Sequence, residues 1–175
     1  MARRRLLIVD GYNLMHQMFR VDESTSYEDA RDRLIARLAD YAGFSGQRVI
    51  VVFDAYGVQN RRASGEMNGP VEVVYTSAGE LADHYIERYV DGISGDISLG
   101  RIEVRVATSD LTEQTVVLAR GAIRVSSREL IREMSDMKTL SREKMTPAGS
   151  GKNPIEDSLP PDIREKLKAM TRKPY

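Results

Sequence analysis

Three short segments rich in branched apolar residues end at or just before an aspartate. They cover residues 6–9, 48–53 and 101–107, and the acids that follow them are Asp10, Asp54 and Asp110. Segments of this kind are typical of strands buried on both faces of a parallel sheet. Because the carboxyl ends of parallel strands meet at one edge, where open α/β sheets bind their ligands, we expect the three carboxylates to lie together.

The chain between the second and third of these segments adds acids to the same edge. A helix predicted over about 80–91 begins with Glu80 and carries Asp83 one turn further in. A spacing of three residues places both side chains on one helical face. Carboxylates gathered in this way repel one another, and a divalent cation relieves the repulsion. Oxygen ligands without histidine or cysteine favour Mg²⁺ or Mn²⁺, ions that promote phosphoryl transfer by activating water.

Each of these acids also has a structural explanation. Asp10 and Asp54 could be ordinary turn residues that follow a strand. Glu80 and Asp110 have the spacing of residues that cap a helix. Asp83 is harder to explain in this way, because the predicted helix places it beyond the first turn, where aspartate is a poor helix former.

Polar and basic residues near the same edge could contact a phosphate backbone. Asn13 follows the first aspartate, Ser109 precedes the last one, and Tyr12 could stack on a base. An Asx-turn, a helix cap and packing within a turn are the respective structural alternatives. The basic candidates for substrate binding, for which a solvated surface is the alternative, are Arg61, Arg62 and Arg128.

The elements that must position these residues alternate between strand and helix. We predict strands at residues 5–9, 48–53, 71–75, 101–107 and 122–125. The first long helix is capped by Ser26 and ends at Gly43, and others begin near residues 80, 111 and 126. Alternation of this type predicts a mostly parallel sheet of about five strands, covered by helices on both faces.

The connecting segments and the C-terminal part differ in composition from these elements. Residues 56–70 are polar and rich in turn formers and are predicted to form a loop, and 92–100 a polar turn. After about residue 139, prolines and glycines indicate a linker that leads to a basic helix over about 162–172. We therefore predict one α/β domain over residues 1–138, followed by a linker and a basic helix over 139–175.

Composition restricts the class of protein. The chain has no cysteine, and no apolar run approaches the ~20 residues that a membrane helix needs, so we expect a cytoplasmic protein without a membrane partner. The formal net charge is zero, with 26 basic and 26 acidic residues. Bulk positive charge therefore cannot supply nucleic-acid binding, which would need local patches or a larger partner.

Several motifs together resemble the YacP-like NYN domain proteins of the PIN-like nuclease superfamily. The resemblance covers roughly residues 4–138. Its motifs are LIVDGYN at 7–13, VVFDA at 51–55, VVYTSAGELADHYIE at 73–87, ATSD at 107–110 with Gln114, and GAIRVSSREL at 121–130. The chain departs from the pattern after Asp110, at residues 111–113, where a glycine or small polar residue is expected, and no acid is lost there.

The resemblance implies a PIN-like three-layer α/β/α domain and a metal-dependent ribonuclease that cuts within RNA. Carried over by position, Asp10, Asp83 and Asp110 would be the core metal ligands. Glu80 and Asp54 would be ligands or neighbours of ligands, and Asn13 would orient a ligand or a phosphate. At least one member of the family is understood to act on messenger RNA at the ribosome, so RNA and the ribosome are the expected partners. The oligomeric state stays open.

Two other functions remain as alternatives. A non-catalytic module that binds RNA or the ribosome could keep the acidic edge, although no core acid is missing here. A phosphatase of the haloacid dehalogenase type also begins on a strand that ends in aspartate. That chemistry needs a second aspartate two residues further on, where this sequence has Tyr12.

Overall fold

A six-stranded sheet forms the framework of the protein. The computed structural model describes residues 3–19, 26–55, 64–109 and 118–145. Its strands are β1 (Arg4–Asp10), β2 (Arg48–Phe53), β3 (Ser64–Asn68), β4 (Val71–Tyr75), β5 (Ile102–Ala107) and β6 (Ile123–Val125). Their order across the sheet is β3-β4-β2-β1-β5-β6, and among these described strands only β3 runs antiparallel to its neighbour. The carboxyl ends of the central strands therefore meet at one edge, as predicted.

Helices cover both faces of this sheet. They are α1 (Gly11–Met18), α2 (Tyr27–Ser45), α3 (Ala82–Gly92), α4 (Ser94–Ser98) and α5 (Ser127–Met145). Alternate residues of β1 point to opposite faces, so Leu7 and Val9 pack with α1, α2 and α5, whereas Leu6 and Ile8 pack with α3 and α4. The predicted three-layer α/β/α arrangement is confirmed. No helix in the described ranges is long and apolar enough to cross a membrane.

Strand β3 lies where the sequence predicts only a loop. It occupies Ser64–Asn68, within the segment 56–70, and pairs antiparallel with β4 at the edge of the sheet. Residues 65–68 are exposed, so main-chain hydrogen bonds rather than apolar burial hold the strand. A strand of this type leaves no hydrophobic pattern in the sequence, and the prediction of about five strands was therefore one too few.

Two helix boundaries and one turn also differ from the predictions. Helix α2 is capped by Ser26 as predicted, but it continues through Gly43 and ends at Gly46, whose left-handed φ of 66° suits a glycine. Helix α3 begins at Ala82 rather than near residue 80. The predicted polar turn at 92–100 contains the short helix α4, which buries Ile97 against the sheet.

The chain divides into two compact units, Met1–Ser141 and Arg142–Tyr175. Helix α5 continues to Met145, so the first residues of the predicted linker are helical. The predicted basic helix at 162–172 lies outside the described residues, as does most of the helix predicted from residue 111. The predicted domain boundary at residue 138 stays a prediction.

A partly buried ion pair joins β5 to the helices on one face. Arg105 donates to the two carboxylate oxygens of Glu133 at 2.6 and 3.1 Å, and the Tyr41 hydroxyl donates to the same carboxylate at 2.9 Å. The Tyr41 hydroxyl also accepts hydrogen bonds from Arg105 and from the side-chain amide of Gln47. The network therefore connects β5, α5 and α2 through one carboxylate.

Glu133→Ala is expected to lower the free energy of unfolding by about 2 kcal/mol, because it leaves the Arg105 guanidinium without its charged acceptor. The Arg105 side chain is only 17% exposed, so water replaces the lost acceptor poorly. Asp96→Asn is the matched control, since the Asp96–Arg101 pair is 43% and 64% exposed and should contribute less than about 1 kcal/mol. Urea denaturation of both variants measures the difference, and equal losses would contradict it.

Candidate active site

Asp10 has both a structural and an electrostatic role at the edge of the sheet. It is the last residue of β1 and the N-cap of α1, where its carboxylate accepts a hydrogen bond from the Asn13 N–H at 2.9 Å. Burial raises the pKa of this carboxyl to about 6, and the negative charges of Asp83 and Asp54 act in the same direction. The Asn13 hydrogen bond opposes the rise. The neighbouring carboxylates make ionisation of Asp10 costly, and a helix cap has no need of them. A capping role alone therefore does not explain why Asp54 and Asp83 lie near Asp10.

Asp54 lies directly after β2 and caps a helix from a distant part of the chain. Its carboxylate accepts a hydrogen bond from the Ala82 N–H, the first residue of α3, at 2.5 Å. The residue that precedes α3, Leu81, provides no side-chain cap of its own. The contact therefore fixes the start of α3 against the carboxyl end of β2 and brings Asp83 to the same edge.

Asp83 lies closer to the start of its helix than the sequence predicts. Because α3 begins at Ala82, Asp83 lies in the first turn, where a carboxylate interacts favourably with the helix dipole. The expectation that it lies beyond the first turn was wrong. Its proximity to the other acids is a separate observation, since its charge contributes to the raised pKa of Asp10. The structure thus brings Asp10, Asp54 and Asp83 together.

Glu80 makes the contacts expected from its structural explanation. Its carboxylate accepts a hydrogen bond from the Ser77 N–H at 3.3 Å and forms an ion pair with Arg88. Its main-chain carbonyl accepts from the Thr76 hydroxyl at 2.7 Å. These contacts fix the turn between β4 and α3, and a metal-binding role for Glu80 stays a prediction.

Asn13 and Ser109 are held by partners from other elements. The Asn13 side-chain oxygen accepts a hydrogen bond from the Ser127 hydroxyl at 2.9 Å, and the Ser109 hydroxyl accepts one from the Gln17 amide at 3.2 Å. Asn13 therefore lies in the first turn of α1 with its side chain directed towards α5, and it does not form the Asx-turn considered as an alternative. Arg128, another candidate for substrate binding, is exposed near the start of α5.

Ser127 is a site residue that the sequence did not single out. It is fully buried and ties the start of α5 to α1 beside the acids. The sequence signal in this region is the neighbouring capping box, in which the Ser126 N–H donates to Glu129 at 2.6 Å and the Glu129 N–H donates to the Ser126 hydroxyl at 3.2 Å. A serine inside the first helical turn gives no comparable signal.

Three of the predicted site residues, Asp110, Arg61 and Arg62, lie outside the described residues, as do residues 111–113. The described range that contains β5 ends just before Asp110, at Ser109. Strand β5 is parallel to β1 with Ala107 opposite Val9, so Ser109 lies at the same edge as Asp10. The proposed ligand set therefore stays a prediction at this position.

The donor chemistry of the edge fits a divalent cation. Asp10, Asp54 and Asp83 offer hard oxygen atoms, and a cation would relieve the repulsion that helps to raise the pKa of Asp10. Within the ranges that the structure describes, however, the His, Asp and Glu side chains form no group of three or more arranged to hold a metal. The described carboxylates fit the charge of the ion without completing its coordination.

Comparison with known proteins adds a family and a fold. The model of the YacP-like NYN domain matches residues 7–172. The Bacillus subtilis (strain 168) protein described as "Uncharacterized protein YacP" is 40% identical over 131 residues, which are 74% of each chain. The crystal structure of Rae1 (YacP) from Bacillus subtilis is similar with a TM-score of 0.67 and 33% identity, covering 95% of this chain and 94% of that one. A crystal structure of a mutant of the same Bacillus subtilis protein gives a TM-score of 0.65 and 34% identity, covering 95% and 99%.

Proposed function

The chain belongs to the YacP-like NYN domain family, and from this membership we propose that it is a metal-dependent endoribonuclease. The confirmed resemblance and the PIN-like three-layer fold support a nuclease-type function. The observation that carries the proposal is the group formed by Asp10, Asp54 and Asp83 at the carboxyl edge of a parallel sheet. Burial raises the pKa of Asp10, and the charges of Asp83 and Asp54 raise it further; a bound Mg²⁺ or Mn²⁺ would relieve that repulsion.

In the proposed site, Asp10 and Asp83 would hold the metal together with Asp110. When bound, the metal would supply the Lewis acidity for activation of water and charge stabilisation, and hydrolysis would leave a 5′-phosphate and a 3′-hydroxyl. The other groups position these carboxylates. Asp54 fixes the start of α3 and hence Asp83, while the Asn13 N–H holds the Asp10 carboxylate at the edge.

The proposed substrate is messenger RNA, presented by the ribosome. The balanced charge of the chain supports a substrate delivered by a larger assembly, because the protein as a whole has no excess of positive charge. The segment 56–70 and the C-terminal basic region are the proposed ribosome contacts.

A non-catalytic module that binds RNA or the ribosome is the second candidate. One observation favours it: Asp10 and Asp54 each cap a helix, so a fold without catalytic activity would also retain them. In that case the acids would maintain the structure and the metal would be dispensable.

Cleavage of labelled RNA in Mg²⁺, Mn²⁺ or EDTA, with and without translating ribosomes, distinguishes the two candidates. We expect cuts only with a divalent metal, and a ribosome requirement would identify the substrate context. The Asp83→Asn variant, prepared in parallel, shows whether the cuts come from this site, because a contaminating nuclease would act equally in both samples. RNA or ribosome binding without cuts under every condition would favour the non-catalytic module.

A further inference from the structure

A row of aromatic rings leads from the core to the surface beside the carboxylates. The ring of Tyr12 in α1 lies 5.2 Å from the buried ring of Phe53 and 6.5 Å from the ring of Tyr27, the first residue of α2. The ring of Tyr27 lies 6.1 Å from His16, one turn after Tyr12 in α1. These three contacts are edge-to-face. His16 and Tyr27 are exposed, and 54% of Tyr27 is accessible to solvent.

A positively charged side chain, Arg31, lies on the same part of α2. Arg31 follows Tyr27 by four residues and so shares its face of the helix. Its guanidinium lies 5.7 Å above the ring of Tyr75, which is stacked on Phe53 at 5.8 Å. The Arg31 Nε atom is buried without a hydrogen-bond partner, and Arg31 makes none of the ion pairs found among the described residues.

These side chains adjoin the acidic edge. Tyr12 follows Asp10 by two residues. Phe53, which contacts the rings of Tyr12 and Tyr75, directly precedes Asp54. Tyr75 is opposite Phe53 in the register of β2 and β4, so it also marks the carboxyl edge of the sheet. We call Tyr12, His16, Tyr27 and Arg31 the aromatic strip.

On the basis of the proposed nuclease function, we propose that the aromatic strip binds single-stranded RNA and leads the strand to the carboxylates. Bases stack on exposed aromatic rings with little regard to sequence, because every base has a π face. Arg31 provides the charge that a phosphate needs next to carboxylates that would otherwise repel it. A duplex hides its base faces, and so the strip selects unpaired RNA.

Fluorescence anisotropy with a short unstructured labelled RNA, in EDTA to prevent cleavage, tests the strip in the full chain. Tyr27→Ala should weaken binding about 5- to 30-fold, whereas Tyr27→Phe, which keeps the stacking face, should retain wild-type affinity. Arg31→Gln should lower the slope of log Kd against log salt by about 0.7, as expected for one lost phosphate contact on a single strand. A structural role alone would not change this slope.

Two matched variants control for the loss of a ring or a charge elsewhere. Phe44 is a 43% exposed aromatic residue near the C-terminal end of α2. The next residue, Ser45, accepts a hydrogen bond from Arg5 at the start of β1. Phe44 therefore lies at the opposite edge of the sheet from the carboxylates. Arg101 is a 64% exposed arginine just before β5, at that same opposite edge. Phe44→Ala and Arg101→Gln should each change affinity by less than about twofold.

The outcomes separate the strip from the nuclease. Wild-type affinity in Tyr27→Ala, equal affinity for a duplex of the same sequence, or no binding of single-stranded RNA would each overturn the strip. Metal-dependent cleavage alongside any of these results would leave the nuclease proposal intact. Weaker binding by Tyr27→Ala and a reduced salt slope in Arg31→Gln, without cleavage by wild type in any metal, with or without ribosomes, would support the strip and reject the nuclease.

Discussion

Asp10→Asn is expected to abolish metal-dependent RNA cleavage while making the metal-free protein more stable. If Asp10 is a metal ligand as proposed, loss of its carboxylate should reduce cleavage by at least about 100-fold. Asparagine is as good an N-cap as aspartate, so the hydrogen bond from the Asn13 N–H can persist. The variant also removes the charge that burial, Asp83 and Asp54 make costly. Its melting temperature in EDTA near neutral pH should rise by about 4 °C or more.

The stability gain has a definite pH dependence. The pKa of Asp10 is about 6 in the folded state against an ordinary value of 3.8, so the folded protein binds this proton more tightly. The stabilisation from the protonated group is complete below about pH 4 and is lost as the pH rises through about 6. The lost free energy amounts to about 2 to 3 kcal/mol. Wild type and Asp10→Asn should therefore diverge in melting temperature as the pH rises, and a constant difference would contradict this explanation.

Asp83→Asn provides a graded comparison for the same effect. It removes one neighbouring charge but leaves Asp10 buried, and burial is the largest cause of the raised pKa. We expect it to lose cleavage as well, with a smaller gain in melting temperature than Asp10→Asn. A larger gain from Asp83→Asn would mean that charge repulsion, and not burial, dominates at this edge.

Gly11→Ala should destabilise the protein by about 2 kcal/mol or more, because no space exists for a methyl group. A Cβ atom at this position would lie 2.4 Å from the Phe53 ring. The ring is fully buried and is held by Tyr12 on one side and Tyr75 on the other, so it cannot move aside freely. Gly11 has no positive φ. Close packing against Phe53, rather than a left-handed backbone conformation, is therefore what requires glycine here.

Gly43→Ala is the matched control for this prediction. Gly43 is also a helical glycine, but a Cβ atom there meets nothing within 4 Å, so the change should stabilise by about 0.5 to 1 kcal/mol. Combining Gly11→Ala with Phe53→Leu should recover part of the lost stability, since the smaller side chain vacates the space. Denaturant unfolding measures all three variants. A stabilising Gly11→Ala would show that α1 can move away from the ring at no cost.

Features that depend on local pattern could be predicted from the amino-acid sequence. Short branched apolar runs placed β1, β2, β4, β5 and β6 within one or two residues of their observed bounds. The pattern is strongest in β1 and β2, because a strand buried on both faces needs apolar residues at nearly every position. Parallel pairing then places their carboxyl ends together. The capping box at Ser126 and Glu129 and the cap at Ser26 were also readable, since both partners lie within one helical turn.

Features whose partners are distant in the chain could not be predicted, because they form only when the chain folds. Asp54 caps α3 through Ala82, 28 residues away, and Ser127 donates to Asn13 across 114 residues. Strand β3 depends on main-chain pairing with β4 rather than on apolar side chains, and Arg31 meets Tyr75 only because α2 packs on the end of β4. The acids could be identified from the sequence because each of the strand-end aspartates follows an apolar strand segment directly or closely. Burial and mutual proximity, which set the pKa of Asp10, depend on the whole folded chain.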